Sequence, residues 1–231
     1  MDIYKLSDNI ANVSEDAGSS GYKITDLKQG VKNPDRVNVY VNDKFSFSLD
    51  ISQVVDLNVK VGRVVSFEEL SKFKKASEFG KLYQRTLEWV LSRPHSEKEC
   101  RDYLWRKLRM PSSGRPSEGI SELSDTIISK LKSKKYLDDF KFAEYYVENR
   151  FVKKGVSTKR LKMELMKKGI SKEIIEEVLS GSERNDTEEI AKIIKKKQAK
   201  YTEEKMINYL LRQGFSYELS REQVAQFYGK D

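Results

Sequence analysis

The sequence predicts a mainly α-helical protein, an elongated tandem array of three three-helix repeats behind a small N-terminal β-element. Two patterns support this. A thirteen-residue pattern occurs three times without gaps after residue 95, and strict apolar–polar alternation is confined to residues 22–65. Of the 231 residues, 35% are charged and 38% hydrophobic. That balance suits a thin array of small units, which has more surface to solvate than one thick globule.

The β-element is predicted from two alternating runs, residues 37–41 and 45–49. Asn42 and Asp43 separate the runs, and both residue types tolerate the positive φ of a tight hairpin turn. Residues 22–27 form the expected third strand, because three strands with one apolar face are about the minimum for independent stability.

The repeat is predicted from three segments that align residue by residue: Ser96–Leu108, Ser157–Gly169 and Thr202–Gly214. Each segment opens with a hydroxyl residue suited to cap a helix N-terminus, and two close on a glycine suited to a left-handed helix end. The shared apolar positions are Cys100, Leu161 and Met206, then Leu104, Leu165 and Leu210, and then Trp105, Met166 and Leu211. Amphipathic segments before and after each copy complete the three-helix units.

The domain boundaries follow from these patterns. Ser66 and Glu69 have the spacing of a capping box and mark where helices replace strands. Residues 110–119 have loop composition and interrupt the first repeat. The predicted parts are a disordered tail at 1–21, a small β-rich domain with a terminal helix at 22–78, and three-helix repeats at 79–135, 136–181 and 182–231.

No catalytic or metal-binding constellation is predicted. His95 and Cys100 are the only histidine and cysteine, and Cys100 occupies the apolar position of Leu161 in the second repeat. We therefore expect a core thiol at Cys100, a solvated turn residue at His95, and neither metal nor cofactor. Asp138 and Asp139 precede an apolar helical segment, so a helix N-terminus is favoured there over a magnesium site.

Positive charge is concentrated in the second and third repeats. The net charge is +8, residues 153–168 hold seven basic residues against Glu164, and residues 192–200 hold five lysines and no acid. Candidate binding residues are Lys153, Lys154, Lys159, Arg160, Lys167, Lys168, Lys195, Lys196, Lys197 and Arg212. Phosphate groups or an acidic protein surface are both possible partners. Core packing accounts for the aromatic residues more simply than base stacking does.

Targeting signals are not evident. The first 21 residues contain no apolar run, no later stretch approaches the roughly 20 apolar residues of a membrane span, and a single cysteine excludes an intrachain disulfide. We expect a cytoplasmic protein with no membrane partner.

The helical part resembles the RecX family of regulatory proteins. The similarity is carried by Arg93–Glu99, by the Asp-Asp followed by Phe-Ala within Tyr136–Tyr145, and by Gly155–Leu179. Lys205–Phe215 is similar to that family's third, weaker repeat, and the β-element to the N-terminal extension of its longer members. Residues 1–21 and 110–119 depart from the compact pattern of the family.

This resemblance implies a non-catalytic protein that lies in the groove of the RecA recombinase filament on DNA. It implies inhibition or disassembly of the filament, and so restraint of its ATPase, strand exchange and damage response. From the basic runs, which offer charge without a base-reading pattern, we expect weak DNA binding that is independent of base sequence, and we expect a monomer. Arg160, Lys167 and Lys168 are the favoured contacts. The alternative from the residues alone is a stand-alone basic helical DNA-binding protein, and an enzyme such as a nuclease is a distant third.

Overall fold

The structure, a computed structural model, describes residues 21–31, 33–108 and 120–229. Nearly all of the predicted tail and the segment 110–119 lie outside the described residues. The described residues divide into two compact units, one drawn from the ranges Met1–Trp89 and Trp105–Ile127 and the other from Val90–Leu104 and Ile128–Asp231.

The predicted β-element is an antiparallel sheet in the order β3-β2-β1-β4. Its strands are β1 (Tyr22–Gln29), β2 (Arg36–Val41), β3 (Lys44–Asp50) and β4 (Val64–Val65). The hairpin prediction is confirmed, since Asn42 and Asp43 have φ of 49° and 64° and connect β2 to β3. β4 was not predicted, because two residues are too few to show an alternation.

One face of the sheet packs against a long helix. Helix α1 (Ile51–Asp56) follows β3, and α2 (Phe67–Leu91) supplies Leu70 and Phe73 to the core beneath the strands. The predicted capping box is confirmed: the Glu69 amide donates to Ser66 Oγ over 3.2 Å, and the Ser66 amide donates to Glu69 Oε2 over 3.1 Å. One continuous helix therefore spans the predicted boundary between residues 78 and 79.

The rest of the described chain is helical, which confirms the fold class. The helices are α3 (Glu97–Leu108), α4 (Ile120–Ser133), α5 (Asp139–Asn149), α6 (Thr158–Lys167), α7 (Lys172–Gly181), α8 (Asp186–Lys197), α9 (Glu203–Arg212) and α10 (Tyr217–Tyr228). A single 3-10 turn, Gln198–Lys200, separates α8 from α9. The second helices of the three repeats are α3, α6 and α9.

The repeat register agrees with the structure at two of its three sets of apolar positions. The residues of the first two sets are buried in all three second helices: Cys100, Leu104, Leu161, Leu165, Met206 and Leu210. The prediction was wrong for the third set, because Trp105, Met166 and Leu211 directly follow the buried leucines, point about 100° away from them on the helix and are exposed. Gly169 and Gly214 have φ of +83° and +94°, the left-handed conformation predicted for them. These helix ends therefore favour glycine, which adopts that conformation without a steric penalty.

The predicted caps hold for two of the three second helices. Ser96 Oγ accepts from the Glu99 amide over 3.1 Å, and Ser157 Oγ accepts from the Arg160 amide over 3.2 Å. Thr202 is the N-cap residue of the third helix, as predicted, but its side chain does not make the expected capping hydrogen bond. Thr202 is exposed, whereas the two capping serines are buried and held by a second hydrogen bond described below.

Candidate functional site

Two joints connect the repeats through the ends of their second helices. At the joint of repeats 2 and 3, Ser157 Oγ donates to the Gln213 carbonyl over 2.7 Å. At the joint of repeats 1 and 2, Ser96 Oγ donates to the Lys168 carbonyl over 2.8 Å. Each serine therefore both caps its own helix and satisfies a carbonyl at the end of the next repeat's second helix.

A carboxylate supports each joint. Asp139 accepts from the Glu97 amide over 2.7 Å, and Asp186 accepts from the amide and the hydroxyl of Thr158 over 2.8 Å each. Both aspartates are the first residue of the next repeat's first helix. Burial raises the pKa of Asp139. The neighbouring Asp138 accepts from the Phe140 and Lys141 amides, which confirms the helix N-terminus predicted there.

A buried ion pair reinforces the joint of repeats 2 and 3. Glu189 is 2% exposed, accepts from the Val156 amide over 2.8 Å, and lies 3.1 Å from Arg184 Nε. Arg184 also donates to the carbonyls of Val147 and Arg150 over 2.6 and 2.7 Å. Two charges are thus removed from water with most of their hydrogen-bonding capacity satisfied.

This ion pair was not predicted, although the alignment of the repeats contains a signal for it. Asp139 and Asp186 are equivalent, which places Glu189 at the position of Phe142. Phe142 is 1% exposed. A carboxylate at an otherwise apolar core position predicts a buried cationic partner.

A second carboxylate, Glu164, gathers three donors beside the same joint. Tyr146 Oη and Arg150 Nε each donate to Glu164 over 2.7 Å, and Arg160 Nε donates over 3.0 Å. Burial opposes ionisation of this carboxyl, but the hydrogen bonds from Arg150, Tyr146 and Arg160 outweigh it and hold its pKa at about 2. Burial and the bond to Glu164 raise the pKa of Tyr146 to about 12.

Two of the three favoured binding residues take part in these joints. Arg160 donates from Nη1 to Gln213 Oε1 over 2.7 Å, in addition to its bond to Glu164. Lys168 Nζ lies 2.5 Å from Glu99 Oε1 of the first repeat. Only Lys167 of the three is an exposed side chain with no carboxylate partner among the described residues. Its backbone carbonyl accepts from Lys98 Nζ over 2.9 Å.

The remaining candidates are mostly exposed. Lys153, Lys154, Lys159, Lys195 and Lys196 are exposed, and within the described ranges no carboxylate lies within 4.0 Å of their ammonium groups. Lys197 is half-buried over the rings of Tyr201 and Tyr209, 5.3 and 4.6 Å from their centroids. Arg212 is exposed and donates from Nε to the Asn208 carbonyl over 3.3 Å. The exposed lysines are the residues able to neutralise an anionic partner.

The lone thiol and the lone imidazole are both core residues. Cys100 is fully buried, as predicted, and burial raises its pKa to about 12. The prediction of a solvated His95 was wrong: it is 3% exposed, Nδ1 lies 2.7 Å from the Arg93 carbonyl, and burial lowers its pKa. The repeat register explains the burial, because His95 is equivalent to Val156, which is 2% exposed.

Metal-binding clusters and membrane-spanning helices are both absent from the described residues. Within the described ranges, no group of three or more His, Cys, Asp or Glu side chains could hold a metal ion. None of the described helices has both the length and the apolar character that a membrane crossing requires. The repeats, their joints and the exposed lysines define a helical-repeat protein with a basic surface.

Comparisons with known proteins specify the family. The profile for the Regulatory protein RecX N-terminal domain matches residues 22–66, and that for the second three-helix domain of RecX matches residues 138–179. The chain is 30% identical over 204 residues to Regulatory protein RecX of Bacillus licheniformis, covering 85% of this chain and 74% of the relative. The chain belongs to the RecX family of regulatory proteins.

Further relatives agree. Regulatory protein RecX of Listeria monocytogenes strain EGD-e is 28% identical over 207 residues, covering 86% of this chain and 73% of the relative. A crystal structure of regulatory protein RecX aligns with a TM-score of 0.66 at 20% identity, covering 89% of this chain and 99% of the other. That structural similarity supports the fold.

Proposed function

We propose that this protein binds the RecA recombinase filament on DNA and inhibits its ATPase, strand-exchange and damage-response activities. The observation that carries the proposal is the set of exposed lysines on repeats 2 and 3 that lack carboxylate partners in the described chain: Lys153, Lys154, Lys159, Lys167, Lys195 and Lys196. A polyanionic filament supplies the missing negative charge. Membership of a family of regulatory proteins supports regulation as the outcome of binding.

Within the binding surface, we propose two roles for the predicted basic residues. The exposed lysines and Arg212 contact the filament directly. Arg160 and Lys168 position that surface, because both are engaged across the joints between repeats. Direct DNA binding is weak, independent of base sequence and steeply salt-dependent, since charge is present without a base-reading pattern. We propose that the protein acts as a cytoplasmic monomer.

The decisive experiment is an ATPase assay of RecA on single-stranded DNA with substoichiometric amounts of this protein. We expect inhibition by the wild type, and much weaker inhibition by a triple reversal of Lys159, Lys167 and Lys196 to glutamate. A triple reversal of Lys44, Lys60 and Lys75 changes the net charge equally at exposed sites of the N-terminal unit, and it should still inhibit. Unchanged ATPase activity together with sequence-selective duplex binding would support the stand-alone DNA-binding alternative.

A further inference from the structure

The second helices form a row that continues across the joints. The C-terminus of α9 meets the N-terminus of α6 at the bond between Ser157 and Gln213, and the C-terminus of α6 meets the N-terminus of α3 at the bond between Ser96 and Lys168. The approach is close, because a Cβ on Gly214 would lie 2.8 Å from Ser157 Oγ. The outer faces of α6 and α9 are therefore neighbouring surfaces.

The outer face of α6 is apolar in its middle. Met163 and Met166 are 49% and 46% exposed, and they lie opposite the buried Leu161 and Leu165. Lys159 and Lys167, one turn away on either side, are exposed and share this face at the three- and four-residue spacing of a helix. The two methionines form one continuous apolar patch with a lysine on either side. On an ordinary protein surface, exposed hydrophobic residues are single and scattered.

The same pattern continues on α9. Leu211 is equivalent to Met166 in the repeat and is 37% exposed, and Arg212 is equivalent to Lys167. Beside Leu211 lies a surface hollow lined by Tyr201, Lys205, Asn208, Leu211 and Arg212. Its walls combine two large apolar side chains with two cations, so it matches a carboxylate-bearing segment of a protein.

We propose that the apolar strip, defined as Met163, Met166 and Leu211, is a docking surface for an acidic protein surface. The cationic rim of Lys159, Lys167 and Arg212 pairs with the partner's carboxylates. This inference rests on the proposed function and refines it: the strip contacts the protein subunits of the filament, and its DNA is contacted elsewhere.

Chemistry distinguishes a protein partner from a nucleic-acid backbone here. Phosphate contact requires only charge and leaves both surfaces hydrated, so exposed thioethers contribute little to it. Protein interfaces are enriched in Met and Arg, and the flexible thioether adapts to irregular partners. Lys195 and Lys196 on α8 have no large exposed hydrophobic residue on their helix, which suits them to phosphate contact.

The test compares two immobilised targets, bare single-stranded DNA and a RecA filament assembled on the same DNA with a non-hydrolysed ATP analogue. Met163→Ser with Met166→Ser should weaken filament binding about tenfold or more, as expected for a central apolar contact, and leave bare-DNA binding within about twofold. Lys195→Gln with Lys196→Gln should lower bare-DNA binding more than the methionine variant does. Val55→Ser removes an exposed apolar side chain from the N-terminal unit and should change neither.

Contrary results would distinguish failure of the proposed function from failure of the docking-surface inference. If the wild type binds the filament no better than bare DNA, the proposed function fails, and the inference fails with it. Should the wild type bind the filament selectively and the methionine variant bind it equally well, only the inference is overturned. Equal losses on both targets, or an equal loss in Val55→Ser, would also overturn it, because the strip would then not be a specific protein contact. Since both methionines are exposed, circular dichroism should show unchanged helicity, and Leu211→Ser provides a second variant with the same expected selectivity.

Discussion

The two joints between repeats share the hydrogen bonds that join a side chain to the backbone, and they differ in the contacts between side chains. In both joints a buried serine donates to a carbonyl of the next repeat. The amide of the residue after that serine donates to an aspartate of the next repeat. The residue three positions after the serine is acidic in one joint and basic in the other. In the first joint Glu99 contacts Lys168, and in the second Arg160 contacts Gln213. Within the described part of the chain, only the second joint also contains a carboxylate as deeply buried as Glu189, which pairs with Arg184 and Lys192.

The shared contacts and the differing contacts have separate roles, one in the geometry of stacking and the other in the order of the repeats. The serine and aspartate contacts involve backbone atoms that every repeat possesses, so they set a common stacking arrangement. The charged side chains differ between the joints. Exchanging two repeats would therefore bring together side chains that do not complement each other. We infer that the side chains specify the order of the repeats, while the shared hydrogen bonds specify their geometry.

The largest expected effect is at Glu189. Glu189→Ala leaves Arg184 buried without its carboxylate partner, and the loss should be about 3–5 kcal/mol of unfolding free energy. Urea titration followed by circular dichroism measures it. Glu188→Ala, at the exposed neighbouring position, serves as the control and should cost about 0.5 kcal/mol or less. Similar values for both variants would show that the ion pair does not strengthen this joint.

Acid should act on repeat 2 through Glu164, whose three donors, Tyr146, Arg150 and Arg160, all belong to that repeat. Its pKa is about 2 in the folded protein against an ordinary 4.5, so its contribution is fully present above about pH 4.5 and is lost as the pH falls towards 2. The shift corresponds to about 3 kcal/mol for this side chain, which is 18% exposed.

The measurement is the unfolding free energy of the wild type and Glu164→Gln between pH 2 and 6. The wild type should lose more stability than the variant on acidification. Glu176→Gln removes a more exposed carboxylate and should follow the wild-type curve. Parallel curves for the wild type and Glu164→Gln would contradict the prediction.

The shared serine contact should have similar strength in both joints. Ser96→Ala and Ser157→Ala each remove a cap and a bond to a neighbouring repeat, and each should cost about 1–2 kcal/mol. Thr202→Ala is the matched control: its side chain makes no capping bond, so the change should stay within about 0.5 kcal/mol. Thermal or urea unfolding of the three variants makes the comparison, and a Thr202 effect as large as the others would refute it.

The smallest expected stability effects distinguish two adjacent lysines. Lys168→Glu places a carboxylate beside Glu99 and should destabilise by about 0.5–1 kcal/mol. Lys167→Glu changes an exposed ammonium group, so stability should change by less than about 0.5 kcal/mol while filament binding weakens. Raising the salt concentration should reduce the binding difference between Lys167→Glu and the wild type. Unimpaired filament binding by Lys167→Glu would remove this side chain from the proposed surface.

Sequence reasoning predicted the features that depend on neighbouring residues. The hairpin at Asn42 and Asp43 follows from their tolerance of positive φ, and the capping box at Ser66 from a three-residue spacing. The repeat register predicted the buried thiol at Cys100, since equivalent positions of a repeat face equivalent surroundings. The position of the basic runs along the chain follows directly from the order of the residues.

Only the tertiary structure decided which charged residues remain available to a partner. Arg160 and Lys168 read as surface cations in the sequence, yet they are held by Gln213 and Glu99 of neighbouring repeats. The physical reason is that the face of a helix on which a side chain lies is set by the helix itself. The partner of that side chain across a joint depends instead on how two repeats stack, and such a contact has no local signature in the sequence.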